Sequence, residues 1–357
     1  MTNQDADSGL LEARYRRLLR VLPPAYRAVR EQEMVDTFVE SRYSEQPELA
    51  DVTATYGRPS LAEKVSVLSL ALRLRWGGVD APARYRVRAE ATRNVALLGL
   101  LMLALWAALM LQARWGGTPW WPKPEVAEPI NSGNLWQVIA PNAPVLWIPA
   151  FVFVVFGRAR IAQLLGAIAM VPLLAGSLEF VGLLGYWVPL LVQVTVIAAI
   201  GAFRRDTPQV VRRPWLIAWT AGIVALQALP LARHFPVGVT AALIDEPGLW
   251  CVAVVVAAPA LLLSRRRPCD EADVGRLLAI ASLAAAALLW RAATAADLAV
   301  VLSVEDPLRD TVLVTCVVQM LVVAAVGIPA AVVGIRGLHR LPIVSYSAGR
   351  LGPGATG

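Results

Sequence analysis

A chain of 357 residues that is 57% hydrophobic and only 17% charged, with a mean hydropathy of +0.57, lacks the polar surface that a water-soluble protein of this length needs. The formal charge of +7 rests on 31 Arg and two Lys, and residues 1–94 hold 15 basic against 13 acidic side chains, which excludes a dedicated nucleic-acid-binding segment there. Three cysteines, two in apolar runs (Cys251, Cys316) and one in a charged loop (Cys269), exclude a disulfide framework.

Residues 1–9 are polar and are expected to be disordered. In the following LLEARYRRLLRVL, Leu11, Tyr15, Leu18, Leu19 and Leu22 recur at helical spacing, with Arg16, Arg17 and Arg20 on the opposite face. Pro23 and Pro24 end that helix and suit the start of another, from Ala25 to about Arg42, whose apolar arc is Ala28, Val35, Phe38 and Val39. After the polar stretch SEQPELADVTATYGRP, Ser60 and Glu63 form a capping-box pattern. Leu61, Val65, Leu68, Leu72 and Trp76 then mark a third apolar stripe. None of the three helices can bury its stripe alone, so a compact helical domain over residues 10–76 is predicted. Arg16, Arg17, Arg20, Arg27 and Glu33 are its candidate partner-binding surface.

The order of an amphipathic helix, LPPAYRAVREQEMVDTFVESR, an acidic break and ATYGRPSLAEKV resembles the HAAS-type helical signalling domain over roughly residues 10–76. The turn before the third helix reads Tyr56-Gly57-Arg58-Pro59, with Arg where that family commonly has Asp. The resemblance implies a cytoplasmic signalling module in front of a multi-pass segment. It also implies a cytosolic partner of the PadR-like winged-helix class.

Residues 77–94 read as a basic linker, and no run before Val95 is long and apolar enough for a signal peptide. Residues 95–336 then offer eight apolar segments of the length a hydrocarbon core of ~30 Å requires. They lie near 95–112, 138–156, 161–181, 183–203, 215–232, 247–263, 277–296 and 311–335. With the N-terminus inside, 17 of the basic residues from Arg84 onward fall on the cytoplasmic side and five outside, the asymmetry of the positive-inside rule. The fold class predicted is therefore all-α: a small cytoplasmic three-helix domain, then a bundle of about eight transmembrane helices in a bacterial cell membrane. Both termini are expected to be cytoplasmic, with residues 337–357 as a disordered tail. Trp106, Trp115, Trp120, Trp121, Trp136, Trp187, Trp215 and Trp250 lie near segment ends and are expected at the membrane interfaces.

Chemistry is scarce. The two histidines, His234 and His339, are predicted on opposite sides of the membrane, and no nucleophile, phosphate-loop or metal motif occurs. A non-enzymatic protein without cofactor or metal is the expectation. The candidate polar site lies within the spans: Glu179 and Arg291, both in the outer half and able to pair, with Gln193 and Gln319 (and Gln163 and Gln227) as interhelical hydrogen-bonding groups. The runs SLAAAALL and VGIPAAVVG offer close-packing faces, and Pro172, Pro189 and Pro329 interrupt three spans. Two functions follow from these readings. The first is a regulatory membrane protein whose helical prefix binds a cytosolic partner, and the second a permease component that uses the intramembrane polar groups. The expected associates are the lipid bilayer, a PadR-like regulator and a second copy of the chain, with no direct nucleic-acid binding.

Overall fold

The computed structural model describes residues 3–45, 58–75, 77–78, 81–115, 140–179, 184–203, 210–228, 239, 242–243, 245–263, 271–302, 306 and 308–341. Every described element is helical. In chain order these are α1 (Asn3–Leu19), α2 (Pro24–Glu45), α3 (Leu61–Arg75), α4 (Ala83–Trp115), a 3-10 helix (Ala140–Leu146), α5 (Trp147–Val155), α6 (Ala159–Glu179), α7 (Leu184–Ile200), α8 (Arg212–Ala228), α9 (Glu246–Leu263), α10 (Glu271–Val301) and α11 (Arg309–Arg340). The chain divides into two compact units, Met1–Ala89 with Leu338–Gly357, and Glu90–Gly337.

In the first unit α1 begins at Asn3, inside the segment expected to be disordered. The double proline separates α1 from α2 as its chemistry requires: the Pro23 carbonyl accepts the Tyr26 and Arg27 N–H groups at 3.0 and 3.1 Å, and Pro24 occupies the first helical position. The core joins Leu11, Tyr15, Leu19 and Leu22 of α1 to Val35 and Phe38 of α2 and to Val67, Ala71 and Leu74 of α3, with Ala81 beside them. Tyr15 stacks on Phe38 with ring centroids 4.0 Å apart, and burial, reinforced by the charge of Glu63, pushes the Tyr15 hydroxyl above its ordinary pKa.

Two predicted faces are corrected here. Ala28 is exposed, and Ala25 is buried instead. More importantly, Leu61, Val65, Leu68 and Leu72 all face outward, and α3 buries the arc of Val67, Ala71 and Leu74. The reason lies at Glu63. The capping box forms as expected, with Ser60 N–H donating to Glu63 Oε2 at 2.6 Å and Glu63 N–H to Ser60 Oγ at 3.2 Å. The same carboxylate accepts from Arg42 of α2 at 2.9 Å, which turns the Glu63 side of α3, and with it Val67 and Leu74, toward the core.

The predicted basic linker is helical from Ala83 onward, because nothing after Pro82 stops the helix before Trp115. Near its start Arg84 donates to the carbonyls of His339 (3.0 Å) and Leu341 (3.3 Å), satisfying acceptors that the end of α11 leaves open. That helix runs to Arg340, past the predicted start of the tail.

The second unit holds the apolar helices. Each of the eight predicted segments overlaps a described helical element, and among the described residues four helices are long and apolar enough to cross a membrane: α4, α6, α10 and α11. Residues 142–155, α7 and the first part of α9 are apolar but shorter. Among the described residues of the segment near 138–156, nine are α-helical, since Pro141 and Pro144 cannot donate and leave a 3-10 helix ahead of α5. The core runs from Leu97, Leu100, Leu103 and Ala107 of α4 to Trp147, Phe151, Ile200, Trp250, Ile280 and Val323.

The surface of this unit is not that of a water-soluble protein. Leu164, Ile168, Val171 and Leu178 of α6 and Val314, Val318, Leu321 and Ile328 of α11 are exposed, whereas Ser177, Gln193, Arg291 and Gln319 are buried. Lipid suits the first group, and only protein can satisfy the second. The small-residue runs work as expected: a Cβ at Gly327 would lie 2.6 Å from the Ala284 Cβ, so α11 and α10 touch there only because both residues are small. Gly327→Val is expected to push these helices apart at a cost of about 1–3 kcal/mol, read as an earlier unfolding transition of the detergent-solubilised protein.

Candidate functional site

The buried polar site forms around Arg291 of α10, and the described acid that meets it is Asp245. Arg291 is fully buried, and its Nη1 donates to Asp245 Oδ2 while Nη2 donates to the Ala242 carbonyl at 2.6 Å. Gln319 of α11 donates to the same carbonyl through Nε2 at 3.0 Å. Two of the four predicted residues, Arg291 and Gln319, therefore converge on one acceptor. Gln193 of α7 is buried, and among the described residues its Oε1 has no hydrogen-bond partner. Glu179 ends α6, and its side chain lies outside the described residues.

Asp245 belongs to the approach to α9 and does two jobs there. Its Oδ1 accepts the Gly248 N–H at 2.8 Å, the N-cap bond that the start of α9 needs, while Oδ2 takes Arg291. Gly248 is required by proximity: a Cβ there would lie 2.3 Å from the Ala242 oxygen and 2.5 Å from Asp245 Oδ1. Burial pushes the Asp245 carboxyl up, and the charge and hydrogen bond of Arg291, with the Gly248 N–H, pull it back. The guanidinium cannot deprotonate, so this acid carries the compensation for a cation held out of water.

The remaining hydrogen-bonding capacity is local. Arg291 Nε, Gln319 Oε1 and Glu246 Oε1 are buried without a hydrogen-bond partner among the described residues. Trp250, expected at an interface, is instead buried against Trp290 with ring centroids 5.8 Å apart, next to this cluster in sequence. The apolar side chains explain its position: Trp250 also lines a small apolar cavity with Leu98, Met102, Ile280 and Leu283. The two thiols of Cys251 and Cys316 are buried and unbonded to each other.

A second acid, Asp297 near the end of α10, acts similarly. It accepts the Gly185 N–H at the start of α7, and Ser177 Oγ of α6 donates to the Tyr186 carbonyl at 3.3 Å. Gln163 reaches the Ile197 carbonyl at 3.4 Å, an interhelical bond of the expected kind, whereas the side chain of Gln227 lies outside the described residues. Among the described residues no group of His, Cys, Asp and Glu is arranged to hold a metal ion.

The predicted partner surface is divided. Arg16 is tied to Glu12, Gln32 and Glu31, linking α1 to α2, and Glu33 pairs with Arg30. Arg17 and Arg20 are exposed, and Arg27 is half-buried. Sequence reading missed Asp245 and Ala242. The signal for the first was present as Asp245-Glu246-Pro247-Gly248, an N-cap pattern at a helix start, but nothing local announces Arg291, 46 residues away.

No protein-family model matches the chain, and comparisons with curated proteins and with solved structures return no match.

Proposed function

We propose that this is a non-enzymatic regulatory membrane protein, with a bundle of eight transmembrane helices and a cytoplasmic three-helix module at its N-terminus that binds a cytosolic partner. The observation that carries the reading is the separate core of α1, α2 and α3, which leaves Arg17 and Arg20 on its surface. The resemblance of residues 10–76 to HAAS-type domains favours a PadR-like winged-helix regulator as that partner. An even number of crossings is supported by Arg84, which joins the start of α4, a helix long enough to span, to the end of α11, another. The basic residues clustered at alternate loops then favour the cytoplasm for both termini.

Affinity capture with the full-length protein and with an Arg17→Glu, Arg20→Glu variant tests this function. The wild type is expected to retain a soluble regulator that the variant releases, with equal membrane insertion of both. Equal recovery of the same proteins by both, or of none, would remove the assigned surface. A permease is the second reading, favoured by the unpaired buried atoms beside Arg291. It requires solute flux in vesicles that Gln319→Leu reduces.

A further inference from the structure

The exposed stripe of α3 is out of place on a water-facing module. Leu61, Val65, Leu68 and Leu72 are 79%, 64%, 51% and 44% exposed, and at 100° per residue they fall within an arc of roughly 60° that runs about 17 Å along the helix. Four large apolar side chains in one line, none needed by the core, are a contact surface.

The charges beside the stripe specify what it contacts. Lys64 and Arg75 border it on one side and Arg73 lies beyond the other, all on the exposed surface. The one acid of α3, Glu63, is turned away and ion-paired with Arg42 at 2.9 Å. An apolar line with cations at its margins is complementary to an anionic bilayer surface, in which such a helix lies with its apolar face sunk ~5–10 Å below the headgroups.

Chain length places that surface within reach. Seven residues, 76–82, separate α3 from α4, a helix long and apolar enough to cross a membrane. Fully extended they span at most about 25 Å. The basic residues Arg84, Arg86 and Arg88 follow at once.

From these observations we infer that α3 is a membrane-surface helix, whose Leu61-Val65-Leu68-Leu72 face docks on the anionic lipid of the leaflet from which α4 starts. The inference stands apart from the choice of cytosolic partner, since it uses a different face of the module.

The test uses the full-length chain with Cys269→Ser, reconstituted in vesicles of phosphatidylcholine alone or mixed with phosphatidylglycerol. Cys251 and Cys316 are buried, so a polarity-sensitive fluorophore reports from Leu68→Cys or, on the exposed but opposite flank of α3, from Ser66→Cys. The expected result is blue-shifted emission at position 68 and several-fold stronger quenching by spin-labelled lipid than at position 66. Both should occur in the phosphatidylglycerol vesicles and weaken as salt is raised. Val65→Glu with Leu72→Glu, both at exposed positions, should abolish the difference without altering folding. Three outcomes overturn the inference: equal solvent exposure at 66 and 68, shielding at 68 that lipid-borne quenchers do not reach (a protein partner or second copy), or identical behaviour in both lipids.

Discussion

Asp245→Asn should destabilise the protein by about 3–5 kcal/mol, the cost of leaving a buried cation without its counter-charge. Asparagine retains an oxygen for the Gly248 N–H, so the cap of α9 survives and the loss isolates the charge opposite Arg291. Denaturant or heat unfolding in detergent micelles reads the effect. The two single variants are not equivalent. Arg291 is wholly buried and its guanidinium stays charged, whereas the Asp245 side chain is 30% exposed and can recruit water or a proton. Arg291→Met should therefore cost less than Asp245→Asn, and combining them should recover most of the stability that Asp245→Asn loses. A double variant no more stable than Asp245→Asn would mean that the pair does not act through charge.

Leu74→Ala is expected to cost about 2–5 kcal/mol within the first unit, because a fully buried leucine in a packed core leaves a cavity. Leu68→Ala, six residues earlier on the same helix, should change stability by no more than about 0.5 kcal/mol. Hydrogen exchange of the α1 and α3 amides in the full-length protein separates the two: faster exchange is expected for the first variant alone. The reverse ranking would restore the face that periodicity picks out.

That contrast shows where the sequence was legible and where it was not. α3 carries two apolar lines, Leu61-Val65-Leu68-Leu72 and Val67-Leu70-Ala71-Leu74, and the spacing rule accepts either. The choice was made by a tertiary contact, Glu63 with Arg42, that no local window contains. α1 has a single line opposed by arginines, and there the expected core residues Leu11, Tyr15, Leu19 and Leu22 are the buried ones. The apolar segments were legible for a different reason: the bilayer demands a run of a certain length, which is a one-dimensional property. How those segments pair is not. Arg291 was visible as an isolated charge in an apolar run, but its acid lies just before another helix, and the carbonyl it shares with Gln319 has no sequence signature at all. Trp250 was misplaced for the same cause, since four residues from a helix start is near the membrane edge only if the neighbouring helices leave it there.

The bond from Arg84 to the carbonyls of His339 and Leu341 also sets an order of events in synthesis. A growing polypeptide exposes Arg84 early, yet its acceptors are made some 255 residues later, after every other described helix has left the ribosome. The junction can close only once the end of α11 has been made. A nascent chain arrested before α11 is complete would leave that arginine without these acceptors, however well the preceding helices had been inserted.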